Sequence, residues 1–138
     1  LVLPGIGLIG GALSGWLIEW LSPVAQGSGV PQVKMAMANI PTPLNFRVAL
    51  VKLLSSFLAL GSGLPLGREG PTIQVGAAIA AHLSHWFPTS PNHRRQLIAA
   101  GAGAGLSASF NTPIAGVLFV IEELVQDVSG FTLGTAIL

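Results

Sequence analysis

Leu60-Gly61-Ser62-Gly63-Leu64-Pro65-Leu66-Gly67-Arg68-Glu69-Gly70-Pro71-Thr72 is the segment that decides the fold. Before it, Phe46 to Leu60 reads as an apolar helix, and the Gly and Pro cluster at 61–65 breaks it. After it, Pro71 opens a second apolar helix, Thr72 to Trp86, with Gly76, Ala77, Ala78, Ala80 and Ala81 inside it. A helix that stops and restarts within apolar sequence leaves a start whose N–H groups have no intrahelical partner. Gly67 and Gly70 keep those groups free of side-chain cover, and Glu69 sets a carboxylate among them.

Upstream, the same design occurs once more. Gln26-Gly27-Ser28-Gly29-Val30-Pro31 is a loop with Ser in the cap region and Pro just inside a helix start. The helix it opens, Val30 to Ala38, is too short to cross a bilayer, so it predicts a re-entrant or half-spanning segment. Asn39 to Asn45, with Pro41 and Pro43, is a connector, and Lys34, Arg47 and Lys52 surround it. Leu1 to Leu21 is long enough to span about 30 Å of hydrocarbon at about 1.5 Å per residue, with Glu19 near its end. Gly7, Gly11 and Gly15 give that helix a small-residue stripe for close packing.

Downstream, Phe87 to Asn92, with Pro88 and Pro91, ends the helix, and Arg94 and Arg95 mark a surface. Gln96 to Ile121 is uncharged and divided by Phe110-Asn111-Thr112-Pro113, which predicts a helical hairpin. Gly101, Gly105 and Ser109 form another packing stripe. The second arm closes on Ile121-Glu122-Glu123-Leu124, with Asp127 after it. The positive-inside rule puts both basic connectors, Lys34 to Lys52 and Arg94 to Arg95, in the cytoplasm, with Glu123 toward that side and Glu69 deeper in the membrane.

Composition excludes a water-soluble globule. Of 138 residues 51% are hydrophobic and 8% charged, against about a quarter charged in ordinary domains. Eighteen Gly and ten Pro are too many for straight helices, and broken helices in lipid accommodate them. A formal charge of +1 without basic blocks argues against nucleic acid as a partner. Zero Cys removes disulfides and thiolate chemistry. The apolar N-terminus has no basic n-region, so it is not read as a signal peptide. It lacks an initiator Met, and Phe131 to Leu138 begins a further apolar run, so the chain reads as a piece of a longer membrane protein.

Other motifs fail on their own terms. Gly101-Ala102-Gly103-Ala104-Gly105-Leu106 puts Leu where a dinucleotide loop needs its third Gly, and 61–68 lacks the Lys and Ser or Thr of a phosphate loop. His82 and His85 lie three apart but have no third ligand near them; they and His93 read as interfacial polar residues. The serines have no positioned base. No metal, cofactor or enzymatic activity is expected.

What remains is a pair of helix starts suited to an anion. Each presents free N–H groups and about half a positive charge, whereas a full Lys or Arg would hold a permeant anion too tightly. Glu69, costly in a membrane, has the sign of the proposed ligand. Ionised, it occupies an anion position; protonated or swung out, it vacates that position. The plainer readings are that Glu69 pairs with Arg68 or caps its own helix, and that Ser28 is an ordinary cap.

Gly27-Ser28-Gly29-Val30-Pro31, Gly67-Arg68-Glu69-Gly70-Pro71, and Phe110-Asn111-Thr112-Pro113 followed by Ile121-Glu122-Glu123 resemble the CLC family of chloride channels and chloride/proton antiporters, in that family's order and approximate spacing. The resemblance covers essentially the whole chain. It implies an all-α fold of transmembrane helices with broken half-helices, residues 1–138 being most of the first inverted repeat of a CLC transport domain. It implies that the Ser28 hydroxyl, with backbone N–H groups around Gly29 and Val30, contacts the central anion. It further implies that Arg68, Glu69 and Gly70 belong to the outer anion position, its N–H groups running from Glu69 to Thr72, with Glu69 as the gate. Glu123 matches the inner proton glutamate of the exchangers, where the channels usually carry an apolar residue; Ser at position 28 resembles the chloride-selective members. The family's further Gly-x-Phe-x-Pro helix start and anion-contacting Tyr do not occur, and the chain has no Tyr. The expected function is chloride/proton antiport, by a multi-pass protein of a bacterial-type inner membrane, with chloride, protons, lipid and a second subunit as partners. A passive chloride channel and a non-transporting structural subunit are the competing readings.

Overall fold

The computed structural model describes residues 2–87 and 90–125; Pro88, Asp127 and the apolar run 131–138 lie outside the described residues. Helix α1 is Val2–Leu21, followed by a 3-10 turn, Pro23–Ala25. The half-helix α2 is Val30–Met37, α3 is Phe46–Gly61 and α4 is Glu69–Leu83. Helix α5 is Pro91–Phe110 and α6 is Pro113–Phe119, which widens into a π-helical turn, Val120–Val125. The described residues are all helix and connector, as the apolar blocks and their Pro and Gly interruptions predict. α1 is the one helix among them both long and apolar enough to cross a bilayer unaided.

Small residues set the packing. A Cβ on Gly76 would overlap the carbonyl oxygen of Gly101, and one on Gly105 would overlap that of Thr72. The hydroxyls of Thr72 and Ser109 bond to each other between the same helices. The Gly101/Gly105/Ser109 stripe is therefore the surface on which α4 and α5 meet backbone to backbone. α6 folds back on α5 in the same manner, the carbonyl oxygen of Gly116 lying 3.0 Å from where a Cβ on Gly103 would sit. Asn111, at φ 55°, ends α5, and Pro113 starts the return arm.

The stripe expected on α1 is only partly the packed one. Gly10 and Ser14 are its buried residues, with the Ser14 hydroxyl donating to the carbonyl of Ser55 on α3 at 2.9 Å, while Gly15 is exposed and has open space around it. Strict four-residue spacing advances about 40° per step around a helix, so the Gly7-Gly11-Gly15 line rotates off the contact. Mixed three- and four-residue steps through Gly7, Gly10 and Ser14 stay on it.

Other boundaries differ from expectation: α5 starts at Pro91, so Arg94 and Arg95 lie within its first turns, and both ends of α4 shift. α4 begins at Glu69, two residues before Pro71, because the first helical turn needs no donor from Pro71. It ends at Leu83, and His85 and Trp86 follow in tight turns that donate to the carbonyls of His82 and Leu83 at 3.1 and 3.0 Å.

Both connectors lie at one end of the molecule. The Phe46 ring at the start of α3 packs 6.0 Å from that of His82 near the end of α4. A small cleft takes Ala36 and Asn39 from one connector's side and Pro91, Arg94 and Arg95 from the other's. Lys52, one of the basic residues expected around the first connector, is 4% exposed, and its ammonium turns inward and donates to the backbone carbonyls of Ala25 and Gly27. Leu3, Trp20, Phe57 and Ile114, all more than 70% exposed, give the outer faces an apolar character that water would not tolerate over such an area.

Candidate anion cavity

The loop between α1 and α2 folds through two left-handed glycines, Gly27 at φ 77° and Gly29 at φ 94°, a region in which a β-carbon is strained. Gly29 caps α2, and there is no room for anything larger. A Cβ there would lie 2.7 Å from Gln74 Cβ and 3.0 Å from the carbonyl oxygen of Gly70. A Cβ on Gly70 would in turn overlap the backbone oxygen of Ser28. The two glycine-rich helix starts thus touch through their backbones, which their flanking side chains would prevent.

Between them is a cavity of about 510 Å3 whose lining includes Gly27, Ser28, Lys52, Gly67, Glu69 and Gly70. Among the described residues, the amides of Gly27, Ser28, Gly29 and Val30 at one start, and of Glu69 and Gly70 at the other, have no hydrogen-bond acceptor. The first bond of α4 is the Thr72 amide to the Arg68 carbonyl at 3.2 Å. No side chain caps α2 or α4, so the Ser28 hydroxyl is not spent as a helix cap. Unspent donors of this kind beside a cavity can hold an anion without a formal counter-charge.

The residues singled out in the sequence separate into three places. Ser28, Glu69 and Gly70 come together on the cavity wall. Gly29 is buried against Gln74, Val30 packs into the hydrophobic core below it, and Arg68 is exposed outside the cavity. Among the described residues Glu69 forms no ion pair with Arg68 or any other cation. Glu123 lies elsewhere. On the π-helical turn after α6, it accepts a bond of 2.5 Å from the Lys34 ammonium at the C-terminal end of α2. α2, about 12 Å long at 1.5 Å per residue, therefore runs from the cavity to the Glu123 ion pair. Glu122, one position earlier, is exposed and forms no ion pair among the described residues.

Three polar residues at the site carry no motif. Lys52, Gln32 and Gln74 all bond to the loop before α2. Gln74 is fully buried although polar, and a Gln at a core position of an apolar helix is the signal that could have exposed its role. His82 packs tilted against Phe46 and edge-on to Trp86, and His85 lies 3.5 Å from Arg94, so these histidines sit among rings and a guanidinium at the connector end.

Comparison with known proteins agrees with the broken-helix geometry. The family described as "Voltage gated chloride channel" matches residues 10–138. The H(+)/Cl(-) exchange transporter ClcA of Vibrio campbellii is 43% identical over 121 residues, covering 85% of this chain and 26% of that protein. The protein of that name from Citrobacter koseri is 43% identical over 110 residues, covering 79% and 23%. The crystal structure of a slow cyanobacterial Cl-/H+ antiporter superposes with a TM-score of 0.80 at 43% identity, over 91% of this chain and 30% of that one. The chain thus spans about a quarter of the length of its curated relatives. With a family match over nearly its whole length and a fold of the same broken helices, this chain belongs to the voltage-gated chloride channel family of integral membrane proteins.

Proposed function

We propose that this chain forms the first-repeat part of the transport domain of a chloride/proton antiporter, multi-pass in a bacterial plasma membrane and paired with a second subunit. The carrying observation is that Gly27, Ser28, Glu69 and Gly70, whose amides have no acceptor, border one cavity with the Ser28 side chain and with a Glu69 carboxylate that forms no ion pair among the described residues. Chloride seated there takes donors from Ser28 and from the amides of Gly29 and Val30; Glu69 and Gly70 supply the outer position, with Arg68 adding positive potential at its rim. The Glu69 carboxylate competes for that outer position when ionised and leaves it when protonated, so one proton is exchanged against anion occupancy. Glu123 accepts protons at the connector end, which is cytoplasmic on this reading, and Lys34 holds its carboxylate there. The names of the relatives, which describe exchange of H+ for Cl-, support antiport over a passive channel, as does an acidic rather than apolar residue at position 123.

The test is Glu69→Gln in the complete protein, reconstituted in liposomes. Chloride flux continues and proton flux driven by a chloride gradient disappears. An unchanged proton-to-chloride ratio contradicts the proposed gate.

A further inference from the structure

The four successive carbonyls before the Ser28 peptide are all held by side chains. Gln74 Nε2 donates to the Val24 carbonyl at 2.9 Å, Lys52 Nζ to that of Ala25 at 2.8 Å, Gln32 Nε2 to that of Gln26 at 2.7 Å, and Lys52 Nζ again to that of Gly27 at 2.5 Å. The donors come from three different helices, α2, α3 and α4. Of the neighbouring carbonyls, that of Pro23 accepts from the Gln26 amide and that of Gly29 from the Val33 amide, while that of Ser28 lies against Gly70.

A trans peptide fixes its C=O and the next N–H in opposite directions. Holding the carbonyls of Gln26 and Gly27 therefore sets the directions of the Gly27 and Ser28 amides. A loop with glycines at positive φ on both sides of Ser28 lacks the steric restraint to do this itself. The amide orientations are unambiguous, because reversing either Gln would put its oxygen against a carbonyl oxygen. In both residues the other end, Oε1, is buried without a donor, so each buried amide is committed to the loop at a cost elsewhere.

From this arrangement we infer that Gln32, Lys52 and Gln74 are positioning residues, a clamp that keeps the carbonyls of Val24 to Gly27 off the cavity and so turns the amides of the loop toward it. This rests on the anion-binding reading given above. A released carbonyl would present a partial negative charge to the anion and cost affinity and selectivity together.

The test is chloride titration by calorimetry on the complete protein in detergent, with chloride-to-nitrate flux ratios in liposomes. Gln74→Leu and Gln32→Leu remove a donor without changing charge, and each is expected to weaken chloride binding about fivefold to tenfold, the scale of one lost hydrogen bond to a positioned group, and to lower the chloride-to-nitrate ratio. Lys52→Met is expected to do the same and Lys52→Arg to restore most of the loss. If the wild-type protein binds no chloride, the anion-site reading itself fails. If it binds chloride and folded Gln74→Leu and Gln32→Leu match its affinity and ratio, the clamp alone is overturned, as it is if only Lys52→Met weakens binding. Should Gln74→Leu not fold, Gln32→Leu, at the less buried position, decides.

Discussion

α4 is used in two opposed ways along its length. In its middle, Gly76 meets Gly101 so closely that neither tolerates a Cβ. At its first turn Gly70 is equally crowded, against Ser28, yet among the described residues the amides of Glu69 and Gly70 are unbonded and the Glu69 carboxylate forms no ion pair. One residue type thus serves close packing in both places, but the first turn also keeps amide donors in reserve. Close packing belongs to the middle of α4, and the proposed ligand chemistry to its start.

Substitutions should separate these two regions. The largest effect is expected from Gly76→Leu, which drives a side chain into the Gly101 backbone; it should cost about 3 kcal/mol or more, seen as loss of monodisperse protein on size exclusion. If the variant is as stable as wild type, the helices do not meet there. Next is Glu69→Gln, which should abolish proton coupling while changing stability by less than about 0.5 kcal/mol, because no ion pair is lost; thermal melting and dual flux recording check both halves. Glu123→Gln should stop proton movement and leave chloride flux in place. Its stability cost should stay below about 1 kcal/mol, since the Lys34 pair is half exposed on the Glu123 side. The smallest effect on transport should come from Thr72→Val, which removes the hydroxyl pair at a stability cost of about 1 kcal/mol and leaves the proton-to-chloride ratio unchanged.

The same contrast explains what was legible in the sequence. The Gly101/Gly105/Ser109 stripe could be read because its partner is the preceding helix, which all three of its residues meet, at Gly76 and Thr72. The stripe on α1 was misaligned because three glycines at regular intervals draw attention away from Gly10 and Ser14, which the helical twist puts in contact. Ser28 and Glu69 could be read as candidates because each lies between glycines at a helix start, a local property, and both do line the cavity. Lys52, Gln32 and Gln74 could not be read that way, because their roles depend on where three separate helices put their donors relative to one loop. A lysine between two apolar residues looks like a surface cation in linear sequence. Only the carbonyls of Ala25 and Gly27 reveal it as an internal one.

Bromide in place of chloride, located by anomalous scattering in crystals of the complete protein, tests the central claim most directly. The account predicts a peak within hydrogen-bonding distance of the Ser28 hydroxyl and the Gly29 and Val30 amides, and a second one in Glu69→Gln where the wild-type carboxylate stood. Bromide bound only elsewhere, with no density between the starts of α2 and α4 in either protein, would contradict it.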